Sequence, residues 1–294
     1  MPELPDIALY LSALAPRVIG ERLEHVHILN PFVLRSVDPP LSEVEGKVVQ
    51  GLRRIGKRIV FALDDDLFIV IHLMIAGRFR WTERSATPPK KLALAAFDFP
   101  NGTLLLTEAG TTRRASITLV RGEEALRALD RGGLNVLEVS LDQFVERLRS
   151  ENRTLKRALT DPRLFDGIGN AYSDEILHHA RLSPVTLTRR LTDAEVLQLY
   201  ESTRIVLTKW IDRLRNETGD AFPTKVTAFR PEMAVHGKYQ QPCPDCGTPV
   251  QRIRYATNET NYCARCQTSG RLLADRGLSR LLKQDWPRSI DELD

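Results

Sequence analysis

Two groups of residues in this 294-residue chain are of types and spacings that do chemistry. All four cysteines fall in Cys243-Pro-Asp-Cys246 and Cys263-Ala-Arg-Cys266, a C-x2-C-x16-C-x2-C pattern. A cysteine pair at the tip of a tight turn directs two thiolates at one ion, and two such turns close a tetrahedron around Zn2+. Gly247 suits the first turn. Four protein ligands leave no open coordination position, so Cys243, Cys246, Cys263 and Cys266 are expected to hold one structural zinc. Lys238, Arg252, Arg254 and Arg265 surround this unit and suggest that it is held against phosphates.

The second group is the start of the chain, Met1-Pro2-Glu3-Leu4-Pro5. Removal of Met1 would leave Pro2 as a free secondary amine. Such an amine attacks an aldehyde carbon to give an iminium ion, an electron sink for elimination. The neighbouring Glu3 carboxyl can relay protons at the same carbon. Taken alone, these residues favour a simpler account, an ordinary chain start in which Pro5 opens a helix.

The elements that must position these groups differ between the two halves. A helix is expected over residues 5–18 from the spacing of Ile7, Leu11 and Leu14. Eight short apolar runs follow: Leu23–Leu29, Val48–Leu52, Arg58–Leu63, Leu67–Met74, Phe79–Trp81, Leu92–Phe99, Thr103–Thr107 and Ile117–Val120. Their close spacing and Gly, Pro, Asp and Asn turns argue for an antiparallel sandwich or barrel-like sheet pair. Helical spacing then marks Leu141–Arg149, Arg153–Leu159, Ala171–Ala180 and Asp193–Asn216, the last opened by a Thr192/Glu195 capping box. Residues 217–235 read as a loop, and 271–294 as a short amphipathic tail without an assigned role.

Composition narrows the class. Apolar residues make up 42% and charged residues 27%, which excludes wholesale disorder. The net charge of +4 permits a nucleic-acid partner without requiring one. Positive charge is concentrated late, with eight basic and three acidic residues between Lys238 and Lys283. The acidic start carries no signal-peptide pattern, and Leu67–Ala76 is far short of a membrane span. A cytoplasmic protein, associated with the nucleoid through DNA binding, is the expectation, so the cysteines are not read as disulfides.

Six motifs occur in a fixed order: PELPD at the terminus, Lys57 after a turn, HLMIAG at 72–77, TTRRAS at 111–116, GIGNAYSDEIL at 167–177, and the four cysteines. Together they resemble the formamidopyrimidine-DNA glycosylase / endonuclease VIII family of base-excision repair enzymes, over the chain to about residue 268. The resemblance implies an α+β multidomain fold: an N-terminal antiparallel β-sandwich with flanking helices (1–130), a helix–two-turn–helix domain (131–235) and a zinc-finger hairpin (236–270). It implies a monomer acting on damaged double-stranded DNA. The activity implied is excision of oxidised or ring-opened bases through a Schiff base on the N-terminal proline, followed by β,δ-elimination.

Matched residue by residue, the resemblance makes Pro2 the nucleophile, Glu3 the acid/base that helps open the deoxyribose, and Lys57 the loop lysine at phosphate and lesion. Lys156 and Asn170 would grip flanking phosphates, and the helix start after Gly167-Ile168-Gly169 is by itself a natural phosphate site, with Asn170 able to cap it. Base chemistry requires the nucleotide to leave the stack. Ile75 stands where relatives place a wedge methionine, and Met74 where they place glycine. Arg113 and Arg114 would contact the opposite base and a phosphate, but the intercalating phenylalanine is Ala115. Asp6 replaces a glutamate, and Asn258 replaces the finger arginine that relatives direct to phosphates, for which Arg252 or Arg254 would have to substitute. A divergent member acting mainly on abasic sites, or a non-catalytic zinc-ribbon binder of damaged DNA, stays open as an alternative.

Overall fold

Apolar runs between residues 25 and 121 pair into two four-stranded antiparallel sheets. The computed structural model describes residues 1–84, 89, 91–110, 112–255, 258–275, 278–282 and 287–292. Thr111 of the TTRRAS motif, Thr257 of the finger turn and parts of the 271–294 tail lie outside them. The chain divides into two units, Met1–Arg131 with Trp210–Thr227, and Gly132–Lys209 with Ala228–Asp294.

In the first unit, α1 (Leu4–Val18) precedes β1 (His25–Ile28), β2 (Val49–Ile55), β3 (Arg58–Leu63), β4 (Leu67–His72), β5 (Gly77–Thr82), β6 (Ala93–Phe99), β7 (Gly102–Glu108) and β8 (Ser116–Arg121). One sheet runs β1-β6-β7-β5 and the other β2-β3-β4-β8. Phe61 of β3 stacks on Phe97 of β6 at 6.4 Å, which makes the pair a sandwich. All seven residues of β7 are buried, as a central strand requires.

The helices explain why some strands are apolar on both faces. Val60, Phe68 and Val70 point away from the sandwich interior and pack on Leu126 of a short helix, α2 (Glu123–Arg127), where the chain turns from strand to helix. On the other sheet, Tyr10 of α1 meets Phe79 edge-on at 5.4 Å, and its hydroxyl accepts the Phe79 N–H at 3.2 Å. Strand β4 ends at His72 rather than Met74. Met74 adopts φ +52°, a left-handed conformation that no strand continues.

The second unit contains α3 (Leu141–Arg149), α4 (Leu155–Thr160), α5 (Asn170–His179), α6 (Asp193–Thr218, whose last turns from Trp210 belong to the first unit), the ribbon β9 (Gln251–Arg254) and β10 (Glu259–Tyr262), α7 (Ala264–Thr268) and α8 (Leu278–Leu282). Thr192 and Glu195 exchange the expected capping-box bonds at 2.8 and 3.3 Å. Ser140 and Gln143 make a second box before α3. Phe144, Phe165 and Tyr200 form the aromatic centre of this unit. Among the described residues no helix is long and apolar enough to cross a membrane.

Candidate functional site

The first turn of α1 fixes the start of the chain. Glu3 is the N-cap, and its N–H donates to Asp6 Oδ2 at 3.0 Å, so the shorter acid still reaches. Pro2 and Glu3 are both buried. The amine at Met1 has its pKa lowered chiefly by burial, with Arg78 and Lys57 lowering it further and Glu3 and Asp6 opposing them. A desolvated amine among these charges is kept toward its neutral, nucleophilic form. Lys57 is half-buried in the two-residue turn between β2 and β3, where Gly56 takes φ +61°.

Ile75 stands 57% exposed in the loop between β4 and β5, a free apolar side chain able to act as a wedge. The loop around it is held from three sides. His72 Nδ1 accepts the Met74 N–H at 2.9 Å, which fixes the imidazole tautomer with the proton on Nε2. Burial, then Arg58, Lys57 and Arg131, lowers the His72 pKa to about 4, so the ring is neutral at physiological pH. A Cβ on Gly77 would come within 2.2 Å of the Leu73 carbonyl oxygen, so only glycine fits there. Arg78 donates to the carbonyls of Ile75 at 3.1 Å, Gly77 at 2.7 Å and Val226. Arg78 carries no motif signal beyond following HLMIAG, and sequence reasoning misses it.

Arg113 and Arg114 are exposed between β7 and β8. Arg113 donates to the Lys91 carbonyl. The backbone N–H groups of Arg114 and Ala115 both reach the Glu108 carboxylate, at 2.8 and 3.0 Å. Ala115 is 3% exposed and faces inward, so it fills no base-stack gap. Glu108 is likewise invisible to sequence reasoning, a lone acid at a strand end with no spacing partner to mark it.

In the second unit, Lys156 and Asn170 come together. Lys156 Nζ donates to the Asn170 carbonyl at 2.6 Å and to Asp174 Oδ1 at 2.5 Å. Asp174 Oδ2 pairs with His236 Nδ1 at 2.8 Å, and Glu175 accepts the N–H groups of Ala234, Val235 and His236 at 2.8 to 2.9 Å. Contrary to the sequence expectation, Asn170 does not cap α5. Gly169 is the N-cap, and Asn170 turns its amide to the Glu259 carbonyl at 2.9 Å. The positive end of the α5 dipole at this helix start suits an anion.

The four cysteine sulfurs lie within 4.8 Å of one another, with Cys243–Cys266 at 3.9 Å and Cys246–Cys263 at 3.4 Å. Zinc–sulfur bonds of about 2.3 Å place tetrahedral sulfurs about 3.8 Å apart, so the set fits one zinc ion. Buried His178, on α5, brings Nε2 to 3.3 Å from Cys243 Sγ and orients that ligand. Val235 and Val250 close the apolar side of the site.

Three family models match the chain: the formamidopyrimidine-DNA glycosylase N-terminal domain over residues 1–114, its H2TH domain over 135–220, and a zinc finger found in FPG and IleRS over 240–268. The formamidopyrimidine-DNA glycosylase of Thermus thermophilus is 32% identical over 282 residues, 92% of this chain and all of the relative. That of Lactobacillus helveticus is 28% identical over 91% of this chain and 99% of its own. Among solved structures, Lactococcus lactis Fpg in complex with DNA containing an abasic site superposes with a TM-score of 0.79 at 25% identity, covering 90% of this chain and 99% of that one.

Proposed function

This chain belongs to the formamidopyrimidine-DNA glycosylase family, DNA N-glycosylases of DNA repair, and from that membership we propose that it excises oxidised or ring-opened bases from duplex DNA and then cleaves the strand as an AP lyase. Pro2, freed of Met1, is the nucleophile. Its ring nitrogen attacks C1′ of the damaged nucleotide, the bond from C1′ to the base breaks, and the base leaves with a proton. Glu3 donates the proton that lets the sugar ring open at O4′, which completes the iminium ion. Loss of the C2′ proton then expels the 3′ phosphate, and a second elimination expels the 5′ phosphate.

The remaining residues bind and orient. Lys57 approaches phosphate and lesion, Ile75 fills the space left by the extruded nucleotide, and Arg113 and Arg114 face the opposite strand. Lys156 and Asn170 hold flanking phosphates, in part through the α5 start. Residues 1–130 would carry the chemistry, 131–235 the backbone grip and 236–270 the finger, with one zinc in a structural part.

The observation that supports this reading is the start of α1, where Pro2 is buried next to the buried Glu3 N-cap and the chain end feels the charges of Lys57 and Arg78. Borohydride trapping on duplex DNA with an abasic site tests it. A covalent adduct is expected with processed protein and is expected to vanish in protein that retains Met1. No adduct with processed protein would leave a DNA binder without lyase chemistry.

A further inference from the structure

Residues beyond 268 lie outside all three family models, yet described residues among them pack on the zinc-finger ribbon. Leu272, Leu273 and Ile290 share a buried cluster with Ile253, Tyr262 and Ala264. The segment doubles back on itself, with the Leu272 N–H on the Arg288 carbonyl at 2.9 Å and the Ile290 N–H on the Gly270 carbonyl at 2.8 Å. The Leu273 N–H donates to the Tyr262 hydroxyl at 2.8 Å. These described residues are a packed part of the finger, and they include one carboxylate that reaches the ribbon. Asp275, 4% exposed, accepts the Arg254 backbone N–H at 2.6 Å.

The ribbon's two arginines are treated differently. Ile253 points into the cluster, so Arg252 and Arg254 share the opposite face of β9. Arg252 is engaged: its guanidinium lies 4.1 Å over the Tyr239 ring and 3.3 Å from Glu259. Arg254 is exposed, and among the described residues its side chain has no partner. Asn258, at the position where the sequence resemblance implies a finger arginine, is exposed and neutral.

Arg254 and Glu259 face each other across the ribbon. Their main-chain groups point outward, because Arg254 gives its N–H to Asp275 and Glu259 gives its carbonyl to Asn170. At this one level the tail holds one edge of the ribbon and the α5 start holds the other. The backbone that carries the exposed Arg254 side chain is thereby held one strand away from the helix terminus proposed above for phosphate.

We propose that the segment 269–292 is a working part of the finger, and that through Asp275 it presents Arg254 as the finger's phosphate-contacting cation in place of Asn258. The proposal rests on the DNA-repair reading above and names a residue and a segment that reading does not need.

The test is the salt dependence of binding by the full-length zinc-loaded protein to a duplex with a tetrahydrofuran abasic analogue. Losing one phosphate contact lowers the slope of log affinity against log salt by about 0.9. Arg254→Ala is expected to show that loss, Arg254→Lys to restore most of it, and Arg252→Ala to keep the wild-type slope. Asp275→Ala is expected to weaken binding several-fold with zinc content unchanged. A wild-type slope in Arg254→Ala, or the loss appearing in Arg252→Ala instead, would overturn the assignment. Wild-type affinity in Asp275→Ala would overturn the role of the tail. The enzymatic reading fails separately: wild-type protein that binds the duplex but forms no borohydride adduct sinks the lyase and leaves the slope comparison readable.

Discussion

Glu108 holds Arg114 by its backbone: a carboxylate 1% exposed accepts the Arg114 N–H at 2.8 Å and, with the same oxygen, the Ala115 N–H at 3.0 Å. Glu108 also lies opposite Gly77 across β7 and β5. One residue therefore ties the strand end from which the wedge loop leaves to the loop that carries the arginines.

Glu108→Ala removes two hydrogen bonds to a charged group and leaves two amides unsatisfied. At about 1.5–3 kcal/mol for a bond of this kind, a total loss of about 3 kcal/mol is expected in denaturant titration. DNA affinity should fall as the arginine loop loosens, while the yield of trapped adduct at saturating DNA stays near wild type. Glu108→Gln should be milder, since one amide oxygen still accepts.

Met74 carries a left-handed backbone at φ +52°, a conformation that favours glycine. Met74→Gly should relieve about 1 kcal/mol and raise the Tm. Its neighbour answers to function. Ile75→Ala is expected to slow base excision from duplex DNA by roughly tenfold, because unstacking costs a few kcal/mol and the gap is no longer filled. Cleavage at an abasic site in single-stranded DNA should change little.

The His72 pKa is lowered to about 4 from 6.5, chiefly by burial and then by Arg58, Lys57 and Arg131. The unfolded chain therefore binds a proton that the folded chain refuses. Stability from this residue is complete above pH 6.5, declines as the pH falls below that value, and is lost through pH 4. Between those two values the effect is on the order of 3 kcal/mol, at about 1.4 kcal/mol for each pH interval of one. His72→Gln should flatten the stability–pH profile between pH 6.5 and 4, measured by urea unfolding at each pH.

Zinc removal should act beyond the finger's own fold. The α5 helix reaches the zinc unit through Asn170 to Glu259 and through His178 to Cys243. Chelation is expected to unfold the ribbon, lower DNA affinity by at least about tenfold, and be reversed by one equivalent of zinc. The same loss without rescue is expected for Cys263→Ser.

Local and periodic features are legible in the sequence. The Thr192/Glu195 box, the two C-x2-C pairs and the eight strand runs each depend on residues a few positions apart, and all appear in the structure. Long-range partners leave no local trace. Asn170 reads as a cap from its neighbours, yet its amide bonds a carbonyl 89 positions away. A turn to helix is expected from about residue 122, but the bounds of α2 escape the sequence because its one buried apolar residue, Leu126, is too little to show a period. The tail's Leu272, Leu273 and Ile290 give an amphipathic pattern, and only the fold shows that the finger is what they cover.

The central claim is that the reacting nitrogen belongs to residue 2. Lys57 offers a second amine beside the same chain end, so the two must be told apart. Peptide mapping by mass spectrometry of the borohydride-trapped adduct does this directly. The account predicts a DNA remnant on an N-terminal peptide that begins at Pro2. An adduct on Lys57, or on a peptide still carrying Met1, would contradict it.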